Sequence, residues 1–230
     1  MRGEQVWWSL VGPVANLGDT RPARAAEVFD SFFPADALRY ALGPRAVAEE
    51  LADRGTWMSL HQADGGSPWI RSGRDDDRVA HMTWHTWPAL MAPPSVGCAN
   101  VVIVVPQAPY FLFAAEDFTF RLAETVAPWH GLVRTTTYPR AGLPGLRRPV
   151  LLPPEVAWIN VWSAETCALL DFRDEDERLF ASVRRTSHGA RVLSLTTEPF
   201  DPARNPDHVA MLRAVYARFP RIGNRDGGTT

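Results

Sequence analysis

Few residues in this sequence have the types and spacing that chemistry needs. His81-Met82-Thr83-Trp84-His85 carries the HxxxH spacing of zinc-binding helices, and on a strand the same spacing puts both rings on one face. The glutamate of HExxH is missing, and no carboxylate or third ligand has the expected placement. A strand with two ring-bearing positions on one face is the simpler reading. Trp129-His130-Gly131 could set an imidazole at the rim of a sheet, although His130 reads more simply as a hydrogen-bonded turn residue. There is no G-x-S-x-G, GxGxxG or Walker pattern. Cys98 and Cys167 have neither CxxC spacing nor a histidine at a recognisable distance, and read as two buried thiols in a reducing compartment. No catalytic residue, cofactor or metal is therefore expected. A small metal-dependent or His-based hydrolase using His81, His85 and His130 stands as the alternative.

Binding chemistry is better represented. The chain has 9 tryptophans, and all 24 basic residues are arginine. Trp and Arg are favoured anchors at protein interfaces, and Trp69, Trp84 and Trp87 lie in or beside a loop-rich central region. Two acidic runs, Asp75-Asp76-Asp77 and Asp174-Glu175-Asp176-Glu177, could present negative charge to a basic partner. A solvated loop accounts for the first run and a helix start for the second. The net charge of −2 argues against nucleic-acid binding, which needs a basic face.

These residues must be positioned by a core, and 230 residues with 46% hydrophobic content suffice for one. Glu155 to Cys167 organises it. Val156, Trp158, Asn160 and Trp162 share one strand face, while Ala157, Ile159 and Val161 make the other face apolar too. Such a strand, expected over Trp158 to Trp162, belongs inside a sheet covered on both sides. Ser163 then caps a helix, with Glu165 in its first turn. Further strands are expected at Val6–Val11, Trp57–His61, Val79–Trp87, Ala99–Val105, Leu132–Tyr138 and Ala190–Thr196. Helices are expected over Ala25–Phe33, from Pro44 to Gly55, from Phe113 to Ala127, from a capping box at Asp174/Glu177 through Val183, and from Asn205-Pro206-Asp207 to Phe219. Ser67 to Asp77 and the proline-rich Pro139–Pro154 read as loop and surface crossing. The expectation is one α+β domain over residues 1–222, a central, mostly antiparallel or mixed sheet flanked by helices, with a disordered tail at 223–230. No apolar run reaches the ~20 residues of a membrane span, and Val6–Val11 is too short for a signal peptide, so a soluble cytoplasmic protein is expected.

Taken in order, these residues resemble the immunity protein 52 family of bacterial polymorphic-toxin systems and its close uncharacterised relatives. The resemblance runs from about Val6 to Arg225. It includes Trp57-Met-Ser-Leu-His-Gln, Ala99-Asn-Val-Val-Ile-Val-Val-Pro106 and Ala127-Pro-Trp-His-Gly-Leu-Val133. Its most specific part is Gly142-Leu-Pro144, Pro154-Glu-Val-Ala-Trp-Ile-Asn-Val-Trp-Ser163, Leu195-Thr-Thr-Glu-Pro-Phe-Asp201 and Asn205-Pro-Asp-His-Val209. Val14 departs from it, standing where the family pattern has arginine after Gly-Pro. The resemblance implies an α+β fold and a non-enzymatic role: binding a cognate toxin domain, often a nuclease of restriction-endonuclease fold, and blocking it by occlusion. An adaptor that loads a secreted effector is a further alternative. Elemental analysis of protein purified without chelator is expected to find no stoichiometric zinc. A bound equivalent that disappears in His85→Ala would instead favour the hydrolase.

Overall fold

The strand at the N-terminus, β1 (Gln5–Pro13), ends up in the middle of the molecule. Val6, Trp8 and Leu10 are buried on one face of it, with Trp7 and Ser9 half-buried on the other. The computed structural model describes residues 5–13, 20–32, 38–42, 49–51, 68–72, 81–87, 98–106, 109–135 and 152–223. Within them, α1 (Arg21–Phe32) follows β1, and then come β2 (Leu38–Leu42), β3 (Glu49–Leu51), β4 (Pro68–Ser72), β5 (His81–Trp87) and β6 (Cys98–Pro106). A long helix, α2 (Pro109–Val126), leads to β7 (His130–Thr135). The C-terminal part holds β8 (Ile159–Trp162), α3 (Ala164–Leu169), a 3-10 helix (Asp174–Leu179), β9 (Ser182–Arg185), β10 (Arg191–Ser194) and α4 (Pro206–Arg218).

All ten strands join one sheet in the order β3-β2-β4-β5-β6-β1-β7-β8-β10-β9, and every pairing is antiparallel. This is the α+β class, and β8 is an inner strand as its two apolar faces require. The helices α1 and α2 cover one face. Trp8 hooks α2 there: its indole N–H donates to Thr119 Oγ1 at 2.9 Å and its ring meets Phe118 edge-on at 5.5 Å. Phe32 of α1 packs edge-on against the same Phe118. At the C-terminal end of the sheet the opposite face carries α3, the 3-10 helix and α4. Trp162 is the centre of that layer, with Phe172, Phe180 and Phe219 all edge-on to it at 5.5–5.8 Å. Where α2 turns into β7, the chain passes so close to β1 that a Cβ on Gly12 would lie 3.2 Å from Pro128 Cα. Glycine at 12 lets Trp129 N–H donate to Val11 O at 2.8 Å.

Segment 152–158, ahead of β8, has no regular structure yet is fixed along its length. Asn160, fully buried in β8, turns its amide back on Ala157: Oδ1 accepts from Ala157 N–H and Nδ2 donates to Ala157 O, each at 2.8 Å. Tyr216 Oη accepts from Val156 N–H at 3.0 Å, Leu195 N–H donates to Trp158 O at 2.8 Å, and Trp158 Nε1 donates to Thr196 O at 3.1 Å. Trp158 is 3% exposed but precedes the ladder, which starts at Ile159.

Several expectations need correcting. The stretch expected to be helical after Pro44 contributes β3, which pairs with β2 through Tyr40 and Leu51. Val47 and Leu51 alone were too narrow an apolar stripe for a helix. Within the expected loop at Ser67–Asp77, Pro68–Ser72 is β4, since Trp69 and Ile70 suit a strand flanked by neighbours. The capping box at Asp174 is shifted: Asp176 Oδ2 accepts from Arg173 N–H at 2.8 Å, and the turn is a short 3-10 helix ending at Leu179. Val183 accordingly lies in β9. The caps at Ser163 and Asn205 are as expected, the first accepting from Thr166 N–H and the second from Asp207 N–H. The expected strand at Trp57–His61, most of the Pro139–Pro154 crossing and the tail beyond Gly223 lie outside the described residues.

Replacing Asn160 with leucine keeps the branched shape, though not the volume, and strands the buried N–H and C=O of Ala157. Each stranded group costs about 1–3 kcal/mol. Urea unfolding should show Asn160→Leu less stable by about 2–6 kcal/mol; a loss within experimental error would mean that the amide does not hold the segment.

Candidate functional site

The acidic run at Asp174–Glu177 folds against arginines from three other elements. Asp174 Oδ1 accepts from Arg185 Nη2 at 2.8 Å and Arg191 Nη2 at 3.0 Å. Glu177 Oε1 meets the same two side chains at 2.7 and 3.4 Å. Asp176 is buried and held by Arg218 of α4, at 2.6 Å from Nε and 2.7 Å from Nη2. Burial pushes the Asp176 carboxyl up, but the Arg218 hydrogen bonds, the Arg173 N–H and both guanidinium charges outweigh it and hold it below the ordinary aspartate range. The arginines rest in turn on the aromatic layer, Arg191 over Phe172 at 5.1 Å and Arg218 over Phe219 at 4.9 Å. The carboxylates that this lattice still shows most to solvent are Asp174, 73% exposed at its side chain, and Glu175, 67% exposed and no closer than 4.0 Å to Arg173.

On the other side of β8, Arg134 Nη1 donates to Glu155 Oε1 at 3.0 Å beside a narrow cleft whose walls include Thr135, Val156, Trp158 and Phe200. Both side chains are largely covered. Burial raises the Glu155 carboxyl above the ordinary glutamate range, with Arg134 pulling it part of the way back. Phe200 stacks on His208 at 4.8 Å, and His208 Nδ1 accepts from Asp201 N–H at 2.9 Å, so the loop from Thr196 to Asn205 is tied to α4. Sequence reading singled out neither this pair nor the arginines of the lattice. The signal available was Glu155 beside an apolar strand, where a carboxylate needs a partner.

The structure splits the candidate partner-binding residues between the two ends of the sheet. Trp69 is in β4, and Trp84 and Trp87 are in the adjoining β5. Asp174, Glu175, Asp176 and Glu177 lie near β9, at the opposite end. Asp75, Asp76 and Asp77 lie outside the described residues. The histidines are not brought together either. His85 pairs with Asn100, Asn100 with Val11 and Val11 with His130, so His85 and His130 stand three strands apart in one row. At about 4.8 Å per strand that is roughly 14 Å, too far for one metal or one proton relay. Among the described residues, no group of three or more His, Cys, Asp or Glu could hold a metal ion. Among them, too, no helix is long and apolar enough to cross a membrane.

With this geometry in view, comparison with known proteins gives a fold and a partial family match. Residues 132–227, which run from β7 through α4, match the family model of a domain of unknown function, DUF5953. Among solved structures, Pseudomonas aeruginosa T6SS protein PA0821 superposes with a TM-score of 0.68 at 13% sequence identity, covering 99% of this chain and 77% of that one. At that identity the likeness concerns the fold. No curated protein matches the sequence.

The raised Glu155 carboxyl has a pH consequence. Between the ordinary glutamate range and its raised folded value, the folded chain binds more proton at this site than the unfolded chain. Its contribution is therefore most favourable below the ordinary range and declines as pH rises through the folded value. Glu155→Gln stays neutral throughout. The denaturation midpoint of Glu155→Gln, measured against the native protein from pH 4 upward, should gain on it across that interval and then level off. Parallel pH profiles would show that Glu155 keeps its proton equilibrium on folding.

Proposed function

We propose that this protein is an immunity protein that binds a cognate bacterial toxin domain and neutralises it by occlusion. The observation that carries the reading is the fold shared over nearly the whole chain with a protein named for the T6SS, a secretion system. The sequence resemblance to the immunity protein 52 family supports the same reading and adds its finer content: a polymorphic toxin, to be sought first among nucleases of restriction-endonuclease fold, met in the producing cell's own cytoplasm. In this reading the protein performs no catalysis. Trp69, Trp84 and Trp87 at one end of the sheet, or the exposed Asp174 and Glu175 at the other, are the contacts to test first. The two ends are too far apart for one small epitope. The acidic end suits a basic, nucleic-acid-binding cleft.

Occlusion has a stoichiometric signature. Protection inside the producing cell needs an affinity on the order of nanomolar or tighter, since few free toxin molecules are tolerable. Co-expressing the toxin domain encoded beside this chain with graded amounts of the protein should give protection that ends near one-to-one, together with a complex that co-purifies. Protection at a small fraction of the toxin's amount would point to an enzyme acting on it. A complex without protection would point to an adaptor.

A further inference from the structure

We propose that β9, the end strand of the sheet among the described residues, receives an extended segment of the partner protein as a further strand. The proposal rests on the reading that this chain binds a protein partner, and adds how it would do so. Thr186 N–H donates to Ala190 O at 2.8 Å, and the register continues through Arg184 opposite Val192 and Ser182 opposite Ser194. In an antiparallel ladder bonded and unbonded rungs alternate. Arg184 and Thr186 therefore spend their backbone groups on β10, the ladder ends irregularly where Ala181 N–H donates to Ser194 O at 2.8 Å beside the Ser182–Ser194 pair, and Val183 and Arg185 turn their N–H and C=O groups outward. Among the described residues nothing bonds these outward groups.

An open edge of this kind is normally guarded by long charged side chains, a proline or a bulge. Here the arginines of β9 are drawn off the edge onto the two faces. Arg184 goes to one face, 3.2 Å from Asp117 of α2 and 3.8 Å above the Phe120 ring. Arg185 goes to the other, bound to Asp174 and Glu177. The hairpin is also held still from beneath. Glu116 of α2 accepts from Ser182 Oγ and Ser194 Oγ, both at 2.8 Å, and Glu124 accepts from Ser187 N–H at 2.7 Å and Ser187 Oγ at 2.6 Å. A strand already ordered costs little more to pair, so the edge is prepared for addition.

Charge decides what kind of strand fits. A second copy that used both outward residues of each β9 would set Arg184 opposite Arg184, and like charges directly opposite are unfavourable. Arg185 keeps 53% of its side chain exposed beside the edge. An incoming segment is therefore a foreign one with neutral or acidic residues at the positions facing Arg184 and Arg185, which leaves the exposed Asp174 and Glu175 beside it open to basic residues elsewhere on the same partner.

The test uses the full chain and the toxin domain, with amide hydrogen exchange read in the free protein and in the complex. The Val183 and Arg185 amides are expected to exchange fast alone and to gain protection on binding. Val183→Pro removes an outward N–H without touching the β10 ladder, and proline is tolerated at an edge. It should weaken binding at least tenfold, whereas Val183→Thr, which keeps the N–H, should bind as the native chain does. If Val183→Pro proves unfolded by circular dichroism, the exchange data on the native chain decide alone. A complex that forms with both amides unchanged overturns strand addition and leaves the immunity reading standing. No complex at all overturns both. Protection of these amides in the isolated protein, together with a dimer, would assign the edge to a second copy and overturn the proposal.

Discussion

A primary amide inside a sheet is costly unless both its ends are bonded, and Asn160 is the residue on which the C-terminal half turns. It sits in β8, between β7 and β10, with no exposed surface. Water is not available to it, so it can be satisfied only by a backbone that comes back to meet it. Ala157 does so with both its N–H and its C=O. That bond pair folds segment 152–158 into a fixed shape, which sets Trp158 under Thr196 and brings Glu155 to Arg134. Had position 160 been valine, the strand would gain propensity and the segment would lose its anchor.

Around this centre the polar contacts follow a consistent plan. The aromatic layer under Trp162 supplies the apolar burial, and a ring of arginines ties its rim. Arg191 and Arg218 each cover a phenylalanine with the guanidinium and bind carboxylates of the 3-10 turn. Exposed pairs of this kind contribute little to stability singly, roughly 0–1 kcal/mol each. Their effect is positional: they place β9, β10 and α4 relative to one another. Asp176 is the exception, being buried and doubly bonded.

Much of this was legible in residues whose local chemistry admits one answer. The inner strand and the Ser163 and Asn205 caps follow from side chains acting on their own neighbourhood. Errors arose where a distant partner decides. Glu49–Leu51 is a strand because β2 is beside it, and Pro68–Ser72 because β2 and β5 flank it. The acidic run was visible but its partners were not, since Arg185, Arg191 and Arg218 reach it from other elements. The site suffered most from this: periodicity places a residue on a face, but only strand order shows that the tryptophans and the acidic turn occupy opposite ends.

The position of β1 bears on how the chain comes to be folded at all. Gln5 pairs with Pro106 and Val6 with Thr135, so β1 leaves the ribosome well before either of its neighbours. Such high contact order slows folding. Until β6 and β7 emerge, a strand carrying Val6, Trp8 and Leu10 has no sheet to enter, and its apolar side chains invite association with other chains. Once they arrive, β1 lies between them and, among the described strands, joins the two halves of the sheet. The two halves of the sheet thus converge on β1, and the sheet becomes continuous only once β7 has been made.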